Sequence, residues 1–323
     1  MNRKRLADLL KVVVSLGLIA LLLSQIGLQQ VIEVFSKAEL HYWLLGLAMF
    51  LLGVIIKTFR WQILLDALGI HIGALELVQL NFIGFLFNNI LPSGIGGDVV
   101  KMYELSKDSQ RAAESVNAVF VDRVIGLVMA QLLAIIAALA GYKLISIEIL
   151  TLTIALFFVS IAVMWMLTQV RLWEFILRKL RFLHTWKEGR WVEKIRQLYQ
   201  TFGGYDRSSI LRALGVSFVF NITLVLSNYF VGLAMGVDIS MLYFWIFVPI
   251  TSVVTMIPIS FNGLGVREMG YVTLFTQTGV PEQVAFSMSL SFYAFTVISG
   301  LIGGGLYILR GTRGYLTEKE AHN

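Results

Sequence analysis

Asp98 and Lys101, Asp122 and Arg123, and Arg267 and Glu268 are three couples of an acidic and a basic residue close in sequence, each in or beside a strongly apolar stretch. Ionisable groups at membrane depth are expensive, and they mark substrate or ion paths or buried pairs. The first couple follows Asn88, Asn89, Pro92, Ser93, Gly94, Gly96 and Gly97; the third follows Pro258, Asn262, Gly263 and Gly265. Both stretches run proline, serine, Gly-x-Gly, then a basic and an acidic residue. A helix starting after Gly97, and another after Gly265, would present free N–H groups and a positive dipole end, which attract anions. Lys101 and Arg267 add positive charge to the same pocket in this reading. A phospholipid or polyprenyl phosphate headgroup suits it.

Other roles are open to the same residues. Asp98 serves either as a cap in the first turn of its helix or in headgroup and proton handling. Adjacent residues on a helix point about 100° apart, so Asp122 and Arg123 each need an outside partner. Asp98 or Glu268 is expected for Arg123, and Lys101 for Asp122; a structural lock between helices is the alternative. Lys57 and Arg60 read as snorkelling anchors. Asn88, Asn89, Ser93 and Asn262 either bond a ligand or satisfy backbone groups freed by the breaks. Gly300, Gly303, Gly304 and Gly305 form a small-residue face suited to close helix packing.

The elements that position these residues follow from composition. Of 323 residues, 57% are hydrophobic and 14% charged, with mean hydropathy +0.78. Soluble domains carry about 25% charged residues, so this is an all-α polytopic membrane protein. Spans are expected at residues 9–26, 42–59, 116–141, 147–169, 211–235 and 284–309. The windows 75–91 and 241–257 each run into a Pro/Gly break and are followed by short pieces at 96–106 and 266–279. Irregular backbone at membrane depth is tolerated only where protein buries it or a wet cavity receives it. The expectation is six full spans plus two re-entrant hairpins related as an inverted repeat.

Charge placement supports that count. With Arg3, Lys4 and Arg5 inside, a hairpin at 75–106 keeps Lys101, Lys107 and Arg111 on the cytoplasmic side. Residues 170–212 then also lie inside, with ten Lys/Arg against four Asp/Glu. The chain reads as one transmembrane domain, 1–323, with a basic amphipathic cytoplasmic segment at 170–209. The expected location is the bacterial cytoplasmic (inner) membrane, with both termini cytoplasmic. No cysteine is present, no Walker sequence occurs, and the four histidines are scattered. No metal, cofactor or nucleic acid is expected.

At Leu91–Asp98, at Asp122-Arg123 and at Asn262–Glu268, the sequence resembles the flippase-like transmembrane domain of lysylphosphatidylglycerol synthases. The resemblance covers roughly residues 6–310 and lacks the soluble aminoacyl-transfer domain, so it does not imply the synthase activity. Lys101 stands where that family tends to use arginine. The resemblance implies a stand-alone member that moves an anionic or amphipathic lipid, or a lipid-linked headgroup, between leaflets without being an enzyme. An integral membrane transferase acting on a lipid phosphate, and a scaffold for an envelope-lipid enzyme, are the alternatives. The expected partner is a membrane lipid substrate; a homo-oligomer and an envelope-lipid biosynthetic enzyme remain open.

Overall fold

Backbone in hydrocarbon must satisfy its own N–H and C=O groups, and a run of apolar residues does so by closing i to i−4 bonds. The computed structural model describes residues 3–91, 96–109, 111–141, 147–168, 201–255 and 260–321. These are helical throughout, with no strand among them. In order the helices are α1 (Arg3–Ile26), α2 (Leu28–Lys37), α3 (Leu40–Ala67), α4 (Ala74–Ile90), α5 (Gly96–Ser109) and α6 (Ala112–Ala140). They continue with α7 (Ile147–Thr168), α8 (Arg207–Ala234), α9 (Met241–Thr255), α10 (Val266–Phe275) and α11 (Glu282–Ala321).

Among the described residues, four helices are long and apolar enough to cross a membrane: α3, α6, α8 and the Glu282–Arg310 part of α11. A further pair, Ser15–Ile26 with Leu28–Lys37, passes the same test together but bends by 80°. Helices α4 and α9 are apolar but only 17 and 15 residues long. That is short of the roughly 20 residues a spanning helix needs.

Helix α2 was not expected, and α3 runs eight residues past the expected end at 59. Gly27, at φ 88°, turns the chain out of α1. Leu28, Val31, Ile32 and Phe35 then recur at helical spacing, while Gln29, Gln30, Glu33, Ser36 and Lys37 fall on the other side. Val31 packs with Leu22, Ile26 and Phe286.

The chain divides into two compact units. The first comprises Met1–Thr58, Gly73–Lys101 and Val219–Asn323. Within it, α5 runs antiparallel along α4: Gly97 sits against Gly84, and Lys101 reaches back to Asn81. The approach is close enough that a Cβ on Gly97 would lie 2.0 Å from the Gly84 carbonyl oxygen. Helices α9 and α10 form the second hairpin. Gly263 and Gly270 face Thr255 and Thr251, and Phe275 meets Phe244 and Phe247 with ring centroids 5.1 and 5.2 Å apart. In each pair the later helix therefore runs back along the one before it.

Helix α11 lies along α4. A Cβ on Gly303 would stand 2.0 Å from the Phe82 carbonyl oxygen, and one on Gly300 2.5 Å from the Asn89 amide nitrogen. The expected small-residue packing face is thus in place at these two glycines. Gly305, by contrast, faces open space.

The second unit comprises Phe59–Ile72 and Met102–Phe218. Helices α6 and α7 pack together in it. Leu64, Ile125 and Ala213 form a buried cluster there. Asp206 caps α8, accepting the Ser209 N–H at 3.2 Å. The hydrogen bonds from Ser209 hold its carboxyl below the usual aspartate range.

Candidate functional site

The first break is built from α4 and α5. Asn88 Oδ1 accepts the Gly97 N–H at 2.8 Å, satisfying one of the donors left open at a helix start. Asp98 lies in the first turn of α5, and one turn on, Lys101 Nζ stands 3.4 Å from its Oδ1. Lys101 also donates to Asn81 Oδ1 at 2.8 Å, its stem crossing the gap that Gly84 leaves. Asn81 Nδ2 in turn donates to Thr58 Oγ1 at 2.9 Å, and Thr58 to the Val54 carbonyl. Asp98, Lys101, Asn81 and Thr58 are all buried.

The second break follows α9. Phe261–Gly263 form a single 3-10 turn, with Asn262 at φ 48°, Gly263 at 77° and Gly265 at 83°. Asparagine is among the few residues that tolerate the left-handed region, and glycine enters it without steric cost. Gly265 is needed twice over, because a Cβ there would lie 2.6 Å from Leu18 Cβ. Helix α1 closes this side of the break.

Glu268 is fully buried, at 0% exposure, and both its oxygens are engaged. Oε2 accepts the Gly265 N–H at 2.6 Å; Oε1 accepts Ser289 Oγ–H at 3.0 Å and Arg267 Nη2 at 3.2 Å. With glycine at the cap position, only the carboxylate half of a capping box operates. Arg267 donates from Nε to Ser289 Oγ at 3.2 Å, and its guanidinium lies 5.3 Å from the Tyr293 ring centroid and 5.8 Å from that of Phe292.

The two breaks meet. Asn262 Nδ2 donates to Asn89 Oδ1 at 3.1 Å, and Asn89 Nδ2 donates to the Thr296 carbonyl of α11 at 2.9 Å. Ser289, Tyr293, Thr296 and Gly300 recur every three or four residues, with Phe292 beside Tyr293, so one stripe of α11 touches both breaks in turn.

The charges depart from expectation. The sequence reading made Lys101 and Arg267 the positive lining of one pocket, but each lies beside a carboxylate of its own hairpin. Burial explains this: a cation taken out of water needs a partner at hand. The expected partners also change. Asp122 pairs with Arg60, not Lys101: Arg60 Nε and Nη2 bond Asp122 Oδ1 and Oδ2 at 2.6 and 2.9 Å, and Nη1 bonds Ser217 Oγ at 2.7 Å. Because α3 extends to Ala67, Arg60 lies well inside the helix at 2% exposure and does not snorkel. Gly126, one turn beyond Asp122, leaves room for the guanidinium; a Cβ there would lie 2.7 Å from Nη1.

Asp122 and Arg123 belong to the second unit, whereas the other described candidates lie in the first. Pro92, Ser93, Gly94 and Pro258, and most of the 170–209 segment, lie outside the described residues. The sequence reading did not name Asn81, Thr58, Ser217, Ser289 or Tyr293. Asn81 carried a signal, since it precedes Asn88 by seven residues and so shares its helix face. Ser289 and Ser217 carried none.

Two short helical hairpins with glycine-rich breaks, joined by an amide pair and packed on long apolar helices, define a polytopic helical membrane protein with a polar centre. The chain belongs to the family described as the lysylphosphatidylglycerol synthase TM region, which it matches over residues 9–304. It is 25% identical over 323 residues to a UPF0104 membrane protein of Pyrococcus horikoshii, spanning 91% of this chain and 95% of that one. It is 23% identical over 313 residues to a UPF0104 membrane protein of Methanothermobacter thermautotrophicus, spanning 90% and 92%.

Proposed function

We propose that this protein is a lipid transporter that passes the headgroup of an anionic or amphipathic membrane lipid between leaflets, leaving the lipid chemically unchanged. The observation that carries this reading is the Asn89–Asn262 bond, which joins two interrupted helices whose hairpins also hold the buried cations Lys101 and Arg267. Buried polar groups on broken helices are how transporters build a substrate site in the bilayer. Membership of a family named for a lipid synthase's transmembrane region supports a lipid as substrate. The 323 residues hold no Walker sequence, so movement is passive or coupled to an ion gradient. The charge pattern favours a cytoplasmic membrane with both termini inside.

The test is leaflet exchange of labelled lipids in vesicles holding the purified protein, with mass spectrometry of the lipid afterwards. Accelerated exchange of intact lipid is expected, and Arg267→Ala should reduce it in protein that still elutes as a folded species. Exchange no faster than in protein-free vesicles, across a broad lipid panel, overturns the reading. A chemically altered lipid overturns it in favour of an enzyme.

A further inference from the structure

The charge balance of the two breaks selects among headgroups, and this inference rests on the lipid-transport reading. Each break holds one cation and one carboxylate in contact: Lys101 with Asp98 at 3.4 Å, and Arg267 with Glu268 at 3.2 Å. Summed over these four side chains, with all ionised, the formal charge is zero. Glu268 cannot swing away to free Arg267, because its second oxygen holds the Gly265 N–H and so fixes the start of α10.

Arg267 nonetheless keeps donor capacity. It is only 8% exposed, its Nε and Nη2 are committed, and Nη1 donates to no described residue. Asn262 offers the complementary group. Its Nδ2 is committed to Asn89, while its Oδ1 accepts from no described residue. A single break therefore presents spare N–H donors on a cation and a spare neutral acceptor, with no net charge.

We propose that this break binds a headgroup of zero net charge, in which a phosphate diester accepts from Arg267 Nη1 and an ammonium group donates to Asn262 Oδ1. The physical reason is desolvation. A net anion entering the site sheds water and meets a cation whose field its own carboxylate already offsets, so the attraction does not repay the loss. A zwitterion desolvates a second charged group, but its ammonium offsets the repulsion between its phosphate and Glu268, which a net anion meets in full. Its phosphate takes a charge-assisted bond from Nη1, the guanidinium nitrogen that donates to no described residue.

The experiment compares exchange of two tail-labelled lipids with identical chains in vesicles holding the full-length protein. One carries a phosphoethanolamine headgroup and the other a phosphoglycerol headgroup. With the unaltered protein, phosphoethanolamine lipid should exchange faster by about tenfold, the low end of the scale for one imperfectly paired charge in a buried site. Glu268→Gln removes the negative member and leaves the site at +1, so the ratio should fall towards or below one. Equal rates, or faster phosphoglycerol exchange, in the unaltered protein overturn the proposal even if Glu268→Gln does not fold. An unchanged ratio in folded Glu268→Gln overturns it as well. Absence of exchange for every lipid tells against the transport reading itself, an outcome distinct from transport with the wrong preference.

Discussion

Asn262 donates its side-chain amide to Asn89 at 3.1 Å across 173 residues of sequence, and that bond joins the tips of two separate hairpins. Asn89 is the better anchored partner, because its own amide nitrogen is fixed on the Thr296 carbonyl of α11. Asn262 reaches it from a turn held at positive φ. The clasp thus has a rigid side and a side set by a few glycines. A joint of one hydrogen bond, worth about 1 kcal/mol, would open as readily as the lipid-transport proposal requires.

The clasp predicts unequal effects of truncation. Asn89→Ala removes two hydrogen bonds and leaves the buried Thr296 carbonyl without its side-chain donor. Asn262→Gly removes one and stays at ease at positive φ, where alanine would add strain of its own. At about 1 kcal/mol per net hydrogen bond, Asn89→Ala should destabilise roughly twice as much, read as unfolding midpoints in detergent. If the breaks carry transport, Asn262→Gly should also raise leakage of small solutes through vesicles. Equal midpoints would show that Thr296 contributes nothing.

The Arg60–Asp122 pair is expected to matter through burial rather than attraction. Asp122→Ala leaves a guanidinium buried without its carboxylate and should cost about 3–5 kcal/mol, whereas replacing both partners by apolar residues of similar size should recover most of that. Gly126→Ala places a methyl 2.7 Å from Arg60 Nη1. It should therefore destabilise the native protein yet be nearly neutral in the Arg60→Met background. Additive effects of the two substitutions would contradict the shared packing.

How much of this the sequence disclosed differs between backbone and side chains. The breaks at Pro92–Gly97 and Pro258–Gly265 were legible because proline and clustered glycine interrupt an apolar run in a way few other patterns do. The antiparallel return of α5 and α10 followed from helix lengths too short to cross. The ion pairs were not legible. Pairing of Asp122 with Arg60 spans 62 residues, and helical periodicity says which face a residue occupies, not which neighbour that face meets. Ending α3 at the last apolar window placed Arg60 at a helix end; only the structure carries it inside. The Arg267–Glu268 contact was missed for another reason. Neighbouring side chains on a helix diverge, yet Glu268 turns back to its own cap and brings its carboxylate to Arg267.

Glycines on α11 give a paired test of close packing. A Cβ on Gly303 would sit 2.0 Å from the Phe82 carbonyl oxygen, a backbone atom that cannot rotate aside. Gly303→Ala should force α4 and α11 apart and cost about 1–3 kcal/mol, the range for overpacking. Gly305 has nothing within 4 Å of the same methyl. Gly305→Ala should be neutral or stabilising by up to about 1 kcal/mol through helix propensity. A loss at Gly305 equal to that at Gly303 would mean that helix stiffness, not contact with α4, is what these glycines supply.

Helix α2 yields a prediction about depth. Its axis lies 80° from that of the preceding helix, and ten residues are too few to span a bilayer. Val31 is buried against α1 and α11, but Leu28, Ile32 and Phe35 on the same apolar side stay exposed. Exposed apolar side chains on a helix with a separate polar face are at lowest free energy in the headgroup layer, lying flat. The fluorescence that Phe35→Trp adds to that of the seven native tryptophans should be quenched most by lipids brominated near the headgroup and least by lipids brominated near the chain ends. Polar Glu33 and Lys37, ion-paired at 2.6 Å, lie on the opposite face of the helix. Glu33→Leu should therefore move the quenching maximum deeper, since it extends the apolar side around the helix. Strongest quenching from the bilayer centre in the Phe35→Trp protein would instead make α1 and α2 one broken span.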